Sequence, residues 1–218
     1  MKVRIMLFIA ALAVGAAGAQ AQTVSDEGGD IVFTDKAGSQ KQITTSHLDS
    51  DPSLSDDNRR IVFVRRTPGR TIGTGISDAD KNELWLALVD GAKAPWRVLA
   101  GHAGSFTGPD LMLAGFSCPQ FSPDGKRVYF VAETWATSAA IYVLDVETGK
   151  TTFLDTASSL EVIGVGKHKG FLIVEETPLT EDRGRISEFW LLDQNGRHIQ
   201  RIGETEADVA ASGLRDER

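Results

Sequence analysis

Residues 118–156 read CPQFSPDGKRVYFVAETWATSAAIYVLDVETGKTTFLDT, and this stretch decides the fold. It holds four short strand candidates, of which 127–131 and 141–144 are rich in the β-branched and aromatic residues that suit a pleated sheet. Proline, aspartate and glycine favour tight turns, and Pro123-Asp124-Gly125 separates the first two candidates. We predict a small antiparallel sheet of four strands, which needs similar neighbours to bury its two faces.

The same pattern occurs 67 residues earlier in the chain. Asn58 occupies the position in the first repeat that Gly125 occupies in the second. Like glycine, asparagine tolerates a positive φ. The third-strand pattern recurs at 84–86, 141–143 and 189–191, and we predict whole units at 48–100, 115–156 and 158–204 after a half unit at 30–45. The identical residues of the first two units are Pro52, Ser55, Asp57, Arg60, Phe63 and Val64, which match Pro119, Ser122, Asp124, Arg127, Phe130 and Val131.

FSPDGKRVYF at 121–130, followed by IYVLDVETGK at 141–150, resembles the TolB-type β-propeller repeat, which is related to WD repeats. The resemblance implies an all-β fold, a partial β-propeller of about three and a half four-stranded antiparallel blades over residues 30–204. It also implies an exported scaffold of the kind that docks proteins of the cell envelope. Because propellers host many unrelated activities, the repeat specifies the fold better than the function.

The first 21 residues have the composition of a secretory signal peptide. Lys2 and Arg4 precede an apolar run at 5–17, and Ala19-Gln20-Ala21 is a small-x-small cleavage site. The apolar run is too short for a membrane span, so we expect an exported, periplasmic protein without membrane insertion. Residues 22–29 are expected to be a flexible lead, and residues 205–218 a flexible tail or a short helix.

The charge of the mature chain limits its partners. Without residues 1–21, 21 basic residues face 30 acidic ones, which gives a net charge of −9. A negative protein is repelled by nucleic acid and by anionic membrane surfaces, so neither is expected as a partner.

The predicted connections differ in length on the two faces of the propeller. The turns between first and second strands, and between third and fourth strands, are short throughout. The connections on the opposite face are long, at 67–81, 101–117 and 177–187. Insertions on one face of a repeat protein typically mark its binding face, and the alternative is simple drift in loop length. We call this side the long-loop face, and the opposite side the short-turn face.

Four residues of the long-loop face are candidate partner-binding anchors. Exposed aromatic residues and arginines are favoured at protein interfaces. Trp135 lies in a predicted loop at 133–136, and Arg70, Arg183 and Arg185 lie in or near the long connections. For the three arginines, plain surface charge is the alternative interpretation.

Asp78, Asp80 and His102 complete the candidate ligand-binding residues. With an asparagine at 82, the two aspartates have the alternating oxygen spacing that begins a calcium loop, but Glu83 and Val89 stand where glycine and glutamate are required. An acidic surface turn is therefore the favoured interpretation. His102 lies in a Gly-rich link, yet no G-x-S-x-G elbow occurs in the sequence. The four histidines show no paired metal-ligand spacing, so no metal, cofactor or catalytic residue is expected.

These observations favour a non-catalytic binding or scaffold module that recognises a protein or cell-envelope ligand. The alternative is a propeller-type hydrolase or lyase, or the propeller remnant of a prolyl-oligopeptidase-like peptidase. Because closed propellers typically have four to eight blades, the half unit at 30–45 predicts an unpaired edge. Such edges recruit partners, and we expect a homodimer formed through this half blade.

Overall fold

The described part of the chain forms a series of antiparallel sheets, which confirms the all-β prediction. The computed structural model describes residues 21–73, 78–102, 113–135 and 138–215. Three sheets have four strands: β4–β7 form blade 1, β8–β11 form blade 2, and β12, β13, β16 and β17 form blade 3. Strands β1–β3 form an N-terminal sheet, and β14 pairs with β15. The strands are β1 (Thr23–Glu27), β2 (Asp30–Thr34), β3 (Gln40–Gln42), β4 (Asp49–Leu54), β5 (Arg60–Gly73), β6 (Asp78–Leu88), β7 (Trp96–Ala100), β8 (Ala114–Phe121), β9 (Arg127–Trp135), β10 (Ser138–Asp145), β11 (Thr151–Asp155), β12 (Ser159–Val162), β13 (Leu172–Glu176), β14 (Leu179–Thr180), β15 (Gly184–Arg185), β16 (Glu188–Leu192) and β17 (His198–Gly203).

The turn between β8 and β9 is closed by side chains as well as by the main chain. The Ser122 hydroxyl donates to Asp124 Oδ1 at 2.6 Å and accepts from the N–H of Arg127 at 3.0 Å. Asp124 Oδ1 also accepts from the N–H of Lys126 at 3.0 Å. Gly125 has a φ of 66°, which glycine adopts without steric cost. This network explains why serine, aspartate and glycine occur at these spacings.

Blade 1 repeats the network with one substitution. The Ser55 hydroxyl donates to Asp57 Oδ1 at 2.6 Å and accepts from the N–H of Arg60 at 3.0 Å. Asp57 Oδ1 accepts from the N–H of Arg59 at 3.1 Å. Asn58 has a φ of 56°, so the predicted exchange of glycine for asparagine at a positive φ is confirmed.

The second strand of each blade is buried on both faces. In β5, Ile61 and Phe63 face the N-terminal sheet, while Val62 and Val64 face blade 2. Successive side chains of a strand point to opposite faces, so a strand between two neighbouring sheets reads as a continuous apolar run. Fully burying one such side chain stabilises the fold by about 1.5–3 kcal/mol. The largest fully buried side chains are Tyr129, Phe63, Phe130, Ile31, Ile61, Leu84, Leu86, Ile141, Leu144, Leu172 and Leu191.

Residues 205–218 were predicted to be a flexible tail or a short helix, and the structure shows a short helix. Helix α1 (Glu206–Ala211) begins after Thr205, whose side chain accepts from the N–H of Asp208. The Asp208 carboxylate in turn accepts from the N–H of Thr205 at 2.9 Å. This capping box satisfies main-chain donors that the first turn of a helix leaves free. In the described residues no helix has the length and apolar character that crossing a bilayer requires.

The C-terminal segment covers the face of blade 3 that points away from blade 2. Val209 and Leu214 are buried against Ile163, Phe189 and Leu191. In the rest of the chain the equivalent face of each sheet is covered by the next sheet. The segment therefore takes the place of a further blade, a role that its polar, non-alternating sequence did not predict.

The N-terminal sheet also differs from the prediction. Residues 22–29 were expected to be a flexible lead, but β1 lies there and pairs with β2, with Val24 opposite Phe33. The predicted half blade at 30–45 therefore gains a third strand. The side chain of Val24 lies partly buried at the interface with blade 1, which explains why the strand forms despite its polar neighbours. The predicted signal peptide lies outside the described residues, apart from Ala21.

Candidate functional site

Much of the long connection at 67–81 is strand, where a loop was predicted, and residues 74–77 lie outside the described part of the chain. Strands β5 and β6 continue into it, with a register shift between Arg66 and Thr71. Arg70 lies in β5, and Asp78 and Asp80 lie in β6, where Asp80 pairs with Thr71. The main chain at the two aspartates is thus paired strand, neither the start of a calcium loop nor a turn. The side chains of these three candidates lie outside the described part of the structure.

Trp135 and His102 lie at the ends of blade strands. Trp135 was assigned to a loop, but it is the last residue of β9 and pairs with Ser138 of β10. Its side chain is outside the described part of the structure. His102 is exposed and forms a main-chain bridge with Leu113, with N–O distances of 2.8 and 3.1 Å.

The third long connection, at 177–187, forms a small hairpin of β14 and β15. Leu179 in this hairpin is 76% exposed, more than the other large hydrophobic side chains of the described residues. The Arg183 guanidinium is paired with the Glu204 carboxylate at 3.0 Å. Arg185 is exposed and donates to the main-chain oxygen of Thr177 at 3.4 Å. Arg183 and Arg185 were both predicted as partner-binding residues. Among the described contacts of this hairpin, only Arg183 is paired with a carboxylate.

A cleft of about 250 Å³ lies between blades 2 and 3, beside this hairpin. The Glu176 carboxylate and the Arg185 guanidinium both line this cleft. A cleft with one acidic and one basic side chain can bind a ligand that carries both hydrogen-bond donors and acceptors. Its lining residues are Ala139, Thr156, Ala157, Ser158, Glu176, Thr177, Pro178 and Arg185.

Three titratable side chains meet next to the cleft. His198, the first residue of β17, places Nε2 2.6 Å from Glu176 Oε1, at the end of β13. Its Nδ1 lies 3.6 Å from Asp155 Oδ2, at the end of β11. The cluster thus joins blade 2 to blade 3. Asp155, Glu176 and His198 were not predicted as site residues, because they are far apart in sequence and follow no regular spacing.

The cluster is packed against an aromatic ring and is partly shielded from water. The Trp190 ring meets the His198 ring edge to face, with centroids 4.8 Å apart. Burial raises the pKa of the Glu176 carboxyl, and the nearby His198 ring opposes this rise. A carboxylate in such a position gains from a positive neighbour, since water stabilises its charge less well than at the open surface.

Both ring nitrogens of His198 face carboxylates. A histidine that activates a serine or cysteine needs one ring nitrogen directed at the nucleophile. The arrangement at His198 is therefore suited to charge pairing or ion binding, and it does not match a nucleophile–base pair.

Solved β-propellers are similar to this chain. The β-propeller domain of the trilobed protease from Pyrococcus furiosus has a TM-score of 0.52 at 13% identity, over 81% of this chain and 48% of that one. Dipeptidyl peptidase 4 from Porphyromonas gingivalis has a TM-score of 0.52 at 12% identity, over 84% of this chain and 31% of that one. TolB from Acinetobacter baumannii matches at 15% identity over 78% of this chain and 47% of that one, with a TM-score of 0.35. No protein-family model and no curated protein matches the sequence.

The two matches with a TM-score of 0.52 confirm the fold that the repeat predicted. The described residues are a partial β-propeller, with three four-stranded blades and a three-stranded N-terminal sheet. The chain spans 48% of the first of these structures and 31% of the second. At 12–13% identity the likeness shows the fold alone.

Proposed function

We propose that this protein is an exported, non-catalytic binding module that recognises a protein or another cell-envelope ligand through its long-loop face. The observation that carries this proposal is the exposure of Leu179 on a hairpin of that face, next to the cleft that Arg185 lines. A single exposed leucine is common on protein surfaces, so it is the position of Leu179 beside the cleft, next to Pro178 of its lining, that makes it a candidate anchor.

Leu179 and Arg185 have complementary roles in this proposal. Burying a leucine side chain in a partner contributes about 1.5–3 kcal/mol, which makes Leu179 the apolar anchor. Arginine forms paired hydrogen bonds with carboxylates and phosphates, which makes Arg185 the polar one. The negative charge of the mature chain favours a partner with a neutral or basic docking surface.

The catalytic alternative has less support. Propellers named as parts of peptidases are among the similar structures, but the similarity extends to the fold alone. The histidine that lies closest to the cleft is engaged by Asp155 and Glu176. A hydrolase or lyase activity is therefore the alternative and not the function we propose.

The assignment of the binding surface to the long-loop face is tested by comparing variants of the two faces. Mature protein immobilised on a resin is incubated with cell-envelope extract, and the retained proteins are identified for each variant. Leu179→Asp with Arg185→Glu should lose a partner that wild type retains. Lys126→Glu with Lys150→Glu, on the short-turn face, is the matched control and should retain it. Loss with the control pair, and retention with the first pair, would place the binding surface on the short-turn face.

Export is tested on the protein itself. If residues 1–21 are a signal peptide, protein recovered from the periplasm begins after Ala21. Intact-mass measurement of the exported protein checks this. A mass that includes Met1 would contradict both the signal peptide and the periplasmic location.

A further inference from the structure

The side chains around His198 point to a binding site of another kind. We propose that Asp155, Glu176 and His198 together bind a divalent transition-metal ion of the Zn²⁺ class between blades 2 and 3. One ligand atom from each of the three residues lies within 4.8 Å of the other two. This inference does not depend on the proposed partner binding, because it concerns an ion and these three side chains alone.

The distances allow such an ion after one carboxylate has moved. Zn²⁺ binds imidazole nitrogen and carboxylate oxygen at about 2.0–2.2 Å, so neighbouring ligand atoms of a tetrahedral site are about 3.4 Å apart. Glu176 Oε1 lies 2.6 Å from Nε2 of His198, and Asp155 Oδ2 lies 3.6 Å from Nδ1. An ion held by one ring nitrogen therefore draws in the carboxylate that faces the other nitrogen, from a starting separation of at most 4.8 Å between ligand atoms. Three protein ligands leave one position for water or for a ligand group.

The charges of the cluster favour a divalent cation. Two carboxylates share one imidazole, so the acidic groups outnumber the basic one. The neighbouring Glu188 is already neutralised by Arg201 at 3.0 Å. With a neutral ring, an ion of charge +2 balances Asp155 and Glu176. Their side chains are only 23% and 18% exposed, so solvent screens this attraction less than at the open surface.

The three ligands stand on paired strand ends. Asp155 pairs with Ile141 in β10, and Glu176 pairs with a residue of β16. The N–H of Thr156 donates to Asp155 Oδ1 at 2.7 Å, which holds the carboxylate while Oδ2 faces the ring. The Trp190 ring stands against the His198 ring and limits its rotation. Ligands held in this way lose little freedom when an ion binds.

The presence of an imidazole selects the class of ion. Ca²⁺ and Mg²⁺ prefer oxygen ligands in larger numbers than this cluster offers. Imidazole together with carboxylate suits Zn²⁺ and its neighbours in the first transition row. Co²⁺ is therefore a suitable spectroscopic substitute for Zn²⁺ here.

Isothermal titration of the mature protein with Zn²⁺ tests the proposal. Wild type should bind about one equivalent, and His198→Ala should weaken binding by at least about tenfold, since even outer-shell changes cost about 10–100-fold. Glu176→Gln and Asp155→Asn should each weaken it too. His47→Ala is the matched control, because His47 also pairs with a carboxylate, Asp30, at 2.9 Å but has no second carboxylate recorded beside it. It should leave the affinity unchanged.

A second measurement does not depend on the variants being folded. Co²⁺ bound to wild type at three protein ligands should give visible absorption bands of a four- or five-coordinate ion, and Zn²⁺ should displace them. Absence of Zn²⁺ binding to wild type would overturn the proposal and leave the cluster as an ion-pair network. The proposal would also fail if His198→Ala, folded as judged by circular dichroism, bound Zn²⁺ as tightly as wild type. Equal losses from His198→Ala and His47→Ala would assign the binding to the surface in general.

Discussion

Asp51 and Cys118 occupy the same position in consecutive blades, and both adopt a left-handed backbone, with φ of 49° and 50°. Each lies in a β-bulge of the first strand of its blade, where the pairing register shifts. A proline follows each of them. Two non-glycine residues in this conformation at matching positions show that the bulge belongs to the repeat. It redirects the first strand of blades 1 and 2.

The left-handed backbone at Cys118 predicts how substitutions there change stability. Replacing Cys118 with glycine removes the steric cost of a side chain at this φ, whereas Cys118→Val adds a β-branched side chain to it. We expect the valine variant to be less stable than the glycine variant by about 1–3 kcal/mol. Urea unfolding of both variants measures the difference. Equal stabilities would mean that the bulge relaxes to another backbone conformation.

Gly125 offers a second test of backbone conformation. Because Asn58 occupies the equivalent turn position in blade 1 at a φ of 56°, Gly125→Asn should be tolerated. Gly125→Val should cost about 1–3 kcal/mol more, since a β-branched residue is strained at a φ of 66°. In both variants the Arg60 guanidinium must move aside, so the asparagine variant controls for that displacement. Thermal unfolding of the pair measures the cost, and equal melting temperatures would contradict the turn assignment.

The turn carboxylate of blade 2 predicts a pH dependence. The Ser122 hydroxyl, followed by the N–H of Lys126, lowers the pKa of Asp124 in the folded protein. An aspartate with a lowered folded pKa stabilises the fold above its unfolded pKa of about 3.9, and the stabilisation is lost as pH falls through the folded value. The stability difference between wild type and Asp124→Asn should therefore be constant from neutral pH to about pH 5 and shrink below about pH 4.

Urea unfolding across this pH range measures the difference. In a Ser122→Ala background the pH dependence should be smaller, because the hydroxyl that contributes most to the lowered pKa is gone. A difference that stays constant down to the acid limit of the folded protein would contradict the role assigned to Asp124.

The C-terminal segment predicts a loss of stability when its apolar contacts are removed. Val209 is fully buried against blade 3, so Val209→Asp places an unpaired carboxylate against an apolar face and should cost at least about 2 kcal/mol. Ala207→Asp, at an exposed position of the same helix, is the control and should change stability little. Thermal unfolding compares the two. Equal effects would mean that the helix does not cover the blade in solution.

The predicted homodimer stays a prediction, and the structure sharpens its test. The C-terminal face of blade 3 is covered by α1, so self-association should involve the N-terminal sheet. Gln42, exposed in the edge strand β3 of that sheet, is the residue to change, and Gln42→Pro should prevent association because proline removes a main-chain donor from the edge. Light scattering of the mature protein at high micromolar concentration measures the mass. A monomer at that concentration would rule out the homodimer.

The sequence by itself determined the repeat, the strands and the turns of the blades. These features depend on local causes: alternation of apolar residues, the Ser-x-Asp hydrogen bonds, and glycine or asparagine at a positive φ. The pattern around Ser122 and Asp124 therefore predicted the fold class. The same local rules failed at β1, and they did not predict the packing of α1. Both are partly polar segments that are ordered by the apolar faces that they cover.

Only the tertiary structure decided which side chains meet between the blades. His198 is 22 residues from Glu176 and lies on another strand, and Asp155 belongs to another blade. Their contact depends on the register shifts of β17 against β16 and on how blade 3 lies against blade 2. A one-residue slip would turn His198 to the opposite face, so no spacing in the sequence encodes the cluster.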